Sequence, residues 1–198
     1  MADITLELIK EFRSATGVGI MEAKEILKET NGNLQRAIEE MRKRGQKIAA
    51  KKSDRATGEG LIECYVHTTG KLAAVVELGC ETDFVARNAE FKILAHDLAM
   101  HVAAANPQYV SSEDVPADVT THEREVVMEQ LRREGKPEDM LETIAEGKLK
   151  KFYEEVCLLQ QPFIKDDKKS VQDVLHEAIT KIGENIKVRR FARWVLGQ

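Results

Sequence analysis

Apolar positions fall at helical spacing in the first part of the chain. Leu8, Ile9, Phe12 and Ala15 form one stripe, which stops at Thr16-Gly17, where glycine supplies a C-terminal cap. Ile20, Ala23, Ile26 and Leu27 form a second stripe, ended by the turn pair Asn31-Gly32. Asn33 then caps a third helix, with Leu34, Ala37, Ile38 and Met41 at i, i+3, i+4 and i+7, ending before Gly45. Three short helices joined by tight glycine turns make a small bundle. Residues 46–55 are mostly Lys and Ala and read as a helical or partly helical linker. Asp54 through Gly60, with two glycines, ends it. The pattern thus divides the chain into 1–55 and 56–198.

Beyond that boundary the period becomes two. Leu61–His67 and Leu72–Leu78 flank Thr68-Thr69-Gly70-Lys71, a hairpin signal. Pairing about that turn sets Cys64 opposite Val75 rather than Cys80, so the two are not natural disulfide partners. Asn88 opens a long helix with Phe91, Leu94, Ala95, Leu98 and Val102 on one face, stopped by Asn106-Pro107. A polar stretch with Ser111, Ser112 and Pro116 follows. Helical segments are predicted near 120–134 and 138–157, with Pro137 at the start of the second. Ser170 caps another helix, with Val171, Val174, Leu175, Ala178 and Ile182 on one face and Gly183 at its end. Ile186 to Leu196 alternates imperfectly and reads as a third strand. The expected class is α+β: a three-helix bundle, then a core of about three mostly antiparallel strands packed with helices.

Composition narrows the classes. A chain of 198 residues allows one or two domains. With 42% hydrophobic and 32% charged residues it is neither disordered nor membrane-embedded by composition, and no apolar run spans a bilayer. Met1-Ala2-Asp3-Ile4 reaches an acidic residue at once, without a basic and then apolar run, which argues against a secretory signal. Cys64, Cys80 and Cys157 are odd in number and lack CxxC spacing, so a disulfide scaffold or zinc site is not expected. A reducing cytoplasm fits both observations. Aromatics at 5% weaken any reading built on base stacking.

Charge is unevenly spread. The net value of -4 hides 12 Lys/Arg against 9 Asp/Glu in 1–56 and 18 against 25 thereafter. The basic excess centres on Arg42-Lys43-Arg44, Lys47, Lys51-Lys52 and Arg55. It reads as a solvated helix face, as a nucleic-acid footprint, or as steering toward an acidic protein partner. The acidic whole favours the first, because it resists phosphate backbones.

Chemistry-bearing residues are sparse. His96 and His101 are five apart, whereas two metal ligands on one helical face prefer four. No nucleophilic triad follows from spacing. Gly17-Val18-Gly19 follows no strand, so a phosphate loop is rejected there. Two readings of it stay open: plain helix-turn-helix packing, or an apolar loop exposing Val18 and Ile20 to a partner. Val156, Cys157, Leu158 and Leu159 read as core. No catalytic residue, metal or cofactor is expected.

One segment resists a bland reading. Cys80-Glu81-Thr82-Asp83-Phe84-Val85-Ala86-Arg87-Asn88 is a polar connection with an aromatic at its middle. Thr82 is suited to cap a single helical turn, with Asp83 and Phe84 at its first positions. Residues there project outward, and a Phe ringed by Asp, Arg and Asn has the makeup of an interface anchor.

Thr82-Asp83-Phe84-Val85-Ala86-Arg87-Asn88 resembles the signature of the elongation factor Ts family, the exchange factors of elongation factor Tu. Thr16-Gly17-Val18-Gly19-Ile20-Met21 is similar to the turn in that family's ubiquitin-associated-like helical domain. Gln161-Pro162-Phe163, followed by a short charged turn, and the Arg190-Phe191 strand match later family segments. The likeness covers nearly the whole chain and fits a short form with one core subdomain. The resemblance implies that residues for a second core subdomain and an inserted coiled coil are missing here. It implies contacts to elongation factor Tu through Thr82, Asp83, Phe84, Val85, Arg87 and Asn88, and through Gly17, Val18, Gly19, Ile20 and Met21. Phe84 would insert between two partner helices beside the nucleotide and magnesium site, so that GDP leaves. It also implies no covalent chemistry, no membrane and no direct nucleic acid.

The short form further predicts a homodimer of cores joined through their sheets. The terminal strand carries Ala192 and no cysteine, so packing would hold such a dimer. Two other classes stand beside this one. A helical adaptor without exchange activity would keep binding without Phe84 and leave nucleotide release unchanged. A nucleic-acid binder using 42–55 would bind with a salt slope that falls when Arg42, Lys43 and Arg44 are neutralised.

Overall fold

The computed structural model describes residues 4–198; the acidic start at Met1–Asp3 lies outside them. Two compact units are present, each discontinuous in sequence. Among the described residues the first comprises 4–61, Leu78–Leu94 and Asp173–Lys187, and the second Ile62–Glu77, Ala95–Gln172 and Val188–Gln198.

The helical bundle lies in the first unit. Helices α1 (Leu6–Thr16), α2 (Ile20–Glu29) and α3 (Leu34–Lys52) pack around Ile9, Phe12, Val18, Ala23, Ile26, Leu27 and Ala37. Thr5 caps α1 and Asn33 caps α3, each with a side-chain oxygen on a backbone N–H. Ala15 is exposed, so the α1 stripe ends at Phe12. The third helix does not stop before Gly45, as the sequence predicts, but runs through it. Gly45 is buried, and a Cβ there would sit 3.5 Å from Thr180 Oγ1. That is ordinary van der Waals contact, and the glycine, whose φ is not positive, does not end the helix.

Strands β1 (Glu59–Val66), β2 (Leu72–Cys80) and β5 (Lys187–Val195) form one sheet in the order β1-β2-β5. The central strand is the most buried, which suits its Ala and Val content. His67 N–H donates to Leu72 O at 2.8 Å and closes the expected hairpin. Gly60 (φ 149°) lies against β2, where a Cβ would fall 2.2 Å from Leu78 O.

Helix α4 (Asp83–Ala86) is a single turn, and α5 (Ala89–Ala105) follows with Phe91, Leu94, Ala95, Leu98 and Val102 buried as predicted. In the second unit, α6 (Ala117–Arg133) and α7 (Glu138–Val156) form a hairpin turned at Gly135 (φ 72°). The pair has its own core of Val127, Leu131, Leu141 and Ala145. Arg132 Nε reaches Glu138 Oε1 at 3.3 Å, and Arg124 pairs with Glu142.

A second sheet, β3 (Pro162–Phe163) with β4 (Asp166–Ser170), is antiparallel and absent from the sequence reading. Helix α8 (Val171–Ile182) follows at once. Buried His101 Nε2 lies 3.0 Å from Gln161 Oε1, and its Nδ1 accepts the Ile164 N–H at 3.2 Å. Those partners fix the tautomer with the proton on Nε2. Among the described residues no helix is long and apolar enough to cross a membrane.

Candidate functional site

The signature segment links buried Cys80, at the end of β2, to the first turn of α5. Thr82 is extended, and its hydroxyl accepts the Val85 N–H at 3.4 Å. Ala86 N–H donates to Thr82 O and Arg87 N–H to Asp83 O, both at 3.2 Å. One helical turn results, with Asp83 and Phe84 at its first positions, as predicted. Phe84 is 80% exposed, so most of its side chain is open to water. A large aromatic left in water by a well-formed turn is a costly feature without a partner.

The neighbours have distinct duties. Asp83 is paired with Arg87 on the outer surface. An exposed pair of this kind is worth little, so either side chain is free to change partners on docking. Asn88 Oδ1 accepts the Glu90 N–H at 2.8 Å and so caps α5. Val85 is half-buried under the turn.

The base of the turn is held from far along the chain. Glu184 Oε2 accepts both the Glu81 and Thr82 N–H groups at 3.0 Å, and its Oε1 accepts the Thr82 hydroxyl at 2.6 Å. Glu81 Oε1 accepts the Asn185 N–H at 2.6 Å and meets Arg55 at 3.4 Å. Asn185 Nδ2 donates to Ser53 O at 3.3 Å and to Arg55 O at 2.8 Å. Sequence reasoning took Gly183 only as a helix stop and missed the pair that follows. No local pattern announces a contact spanning about a hundred residues.

Burial, and then the charge of Glu184, push the Cys80 thiol up, and its Sγ lies 3.2 Å from Thr82 O. Burial first, then Asp114, pushes Cys157 up to about 11. Neither thiol is poised as a nucleophile.

The N-terminal turn lies in the same unit as Phe84. Gly17 is left-handed (φ 71°) and caps α1, while Gly19 precedes α2. Ile20 and Met21 are exposed at 56% and 79%. Val18 is not: it is buried in the bundle core, and its carbonyl accepts Arg13 Nε at 3.0 Å. The exposed-loop reading is thus corrected for Val18, whose side chain stabilises the turn from inside. The basic stretch is also partly occupied. Arg44 pairs with Glu29 and Glu40, Lys52 Nζ donates to Gly183 O, and Arg55 meets Glu81.

Comparison with known proteins gives a consistent result. The family model described as elongation factor TS matches residues 6–198. An elongation factor Ts of Thermosipho melanesiensis is 53% identical over 195 residues, covering 98% of this chain and 100% of that protein. One from an Anaeromyxobacter species is 52% identical over 198 residues, covering 100% and 90%. One from Geobacter sulfurreducens is 50% identical over 195 residues, covering 98% and 90%.

Proposed function

Since the chain belongs to the elongation factor Ts family, we propose that it is a guanine nucleotide exchange factor for elongation factor Tu in translation elongation. The observation that carries the mechanism is the outward Phe84 on its braced single turn. Phe84 inserts between two helices of the partner's GTPase domain, beside the nucleotide and magnesium site, with Asp83 engaging the same region. Thr82, Val85, Arg87 and Asn88 shape and flank that contact. The bundle, residues 1–55, is a ubiquitin-associated-like domain that docks through the Gly17–Met21 turn. Ile20 and Met21 supply its exposed apolar surface, and Gly17, Val18 and Gly19 supply its shape.

Nucleotide release follows from charge. Magnesium and a cradle of backbone N–H groups hold a diphosphate electrostatically, so a small displacement weakens it greatly. Coupling is reciprocal: the factor weakens GDP binding, and arriving GTP weakens factor binding by the same free energy. A shift of about 10⁴-fold needs about 5.5 kcal/mol of differential binding. Burying one Phe supplies only about 1.5–3 kcal/mol. Phe84 therefore acts with the bundle contact and the rest of the interface. No covalent bond is made or broken, so the protein is not an enzyme in the usual sense and needs no cofactor. It works in the cytoplasm.

The core, residues 56–198, forms a homodimer through its sheet and serves two partners. Ile62 and Val66, on one face of β1, are 64% and 65% exposed, and Trp194 of β5 is 55% exposed. These support a packed interface. The function is tested by release of a fluorescent GDP from cognate elongation factor Tu. Release should accelerate with factor concentration and saturate; release indifferent to the factor would contradict the reading.

A further inference from the structure

The turn that carries Phe84 is too short to hold itself. The first turn of a helix fixes several dihedrals for one hydrogen bond. Its two bonds spanning four residues are long, at 3.2 Å, its cap longer still, at 3.4 Å, and the bond that closes it, from Asn88 N–H to Val85 O, is 2.9 Å. The shortest bond lies outside it, where the Thr82 hydroxyl donates to Glu184 at 2.6 Å. That bond has a second effect. With its O–H directed at the carboxylate, the hydroxyl keeps a lone pair for the Val85 N–H, so Glu184 sets the cap from outside. The two N–H bonds to the other carboxylate oxygen then fix the backbone that enters the turn.

Glu81 returns the arrangement, because its own carboxylate accepts the Asn185 N–H. The dipeptides Glu81-Thr82 and Glu184-Asn185 thus clasp each other, side chain to backbone, in both directions. Asn185 extends the clasp to the carbonyls of Ser53 and Arg55, just past the end of α3.

We infer that Glu184 is a positioning residue for nucleotide exchange: it fixes the Thr82–Ala86 turn so that Phe84 is presented outward in one orientation, and Asn185 ties that turn to the end of α3. The inference rests on the exchange reading above. Its physical basis is preorganisation, since a wedge ordered only on docking would lose the ordering cost from its effect on the partner. Glu184 acts through Thr82 and Phe84, and its contribution should vanish when Phe84 is absent.

The test uses the full chain with Glu184→Gln, which is nearly isosteric but turns an NH₂ toward N–H or O–H donors. Glu184→Ala serves as the second variant, with circular dichroism to confirm folding. Amide hydrogen exchange by NMR reads the brace directly. Glu81, Thr82 and Val85 should lose about tenfold or more of their protection in Glu184→Gln, while α1 and α2 keep theirs. In stopped flow, the saturated GDP release rate should fall about tenfold and the half-saturating concentration shift less than about threefold. With Phe84→Ala already present, Glu184→Gln should add less than about twofold. Unchanged amide protection, an unchanged saturated rate, or effects that multiply with Phe84→Ala would each overturn the inference. Lost protection with full exchange activity overturns this inference alone. An unmodified chain that does not accelerate release overturns the exchange reading beneath it.

Discussion

At the scale of single residues, Phe84 and His101 are opposites. Phe84 is an apolar side chain left in water, and His101 is a polar one sealed from it. Burial lowers the His101 pKa from its ordinary 6.5, against the raising effect of the Gln161 hydrogen bond. The unfolded chain therefore binds its proton first as pH falls. The stability His101 contributes is complete above pH 6.5 and is lost as pH drops from there toward the folded value. His176, lowered by burial against Asp173, acts in the same direction. Thermal melts from pH 8 to pH 5 should show Tm falling through this window, with a shallower slope in His101→Gln. An equal slope would place the acid sensitivity elsewhere. Gly60 is a steric counterpart. Any Cβ there meets the Leu78 carbonyl at 2.2 Å, so Gly60→Ala should cost about 2 kcal/mol or more in urea unfolding.

At the scale of elements, helices were legible wherever apolar residues recur at three and four. That is why α1, α2 and α5 lie where the pattern puts them, and why Thr82 could be read as the cap of a single turn. The failures have physical causes. Gly45 reads as a stop because glycine often ends helices, but here its φ is not positive and α3 continues through it. The β3–β4 pair was missed because Asp166-Asp167-Lys168-Lys169 carries no apolar alternation. Val18 sits between two glycines, and nothing local distinguishes a residue tucked under such a turn from one displayed on it. Glu184 was invisible because its partners are brought to it by the sheet and α8, not by spacing. The sequence pattern gives α6 and α7 as two separate helices, and only their shared core makes them one element. Leu131 is 1% exposed in that core. Leu131→Ala should cost about 2–5 kcal/mol and raise amide exchange in both helices together. Exchange raised in α6 alone would show that the two do not form a cooperative pair.

At the scale of the whole molecule, the uneven charge becomes more modest than it looked. Arg44, Lys52 and Arg55 are engaged within the chain, which favours the solvated-face reading of the basic stretch. The exposed residues of β1 bear on assembly. Sedimentation at micromolar concentration should give twice the monomer mass, and Val66→Asp should return it to the monomer. A monomeric unmodified chain would remove the dimer from the account and leave the exchange mechanism standing. In the proposed mechanism Phe84 is the wedge. The decisive measurement is stopped-flow release of a fluorescent GDP from cognate elongation factor Tu, with the unmodified chain and with Phe84→Ala. The account predicts strong acceleration by the first and a saturated rate roughly 10- to 150-fold lower with the second, the equivalent of one buried Phe. Equal rates from the two would contradict the claim that Phe84 is the wedge.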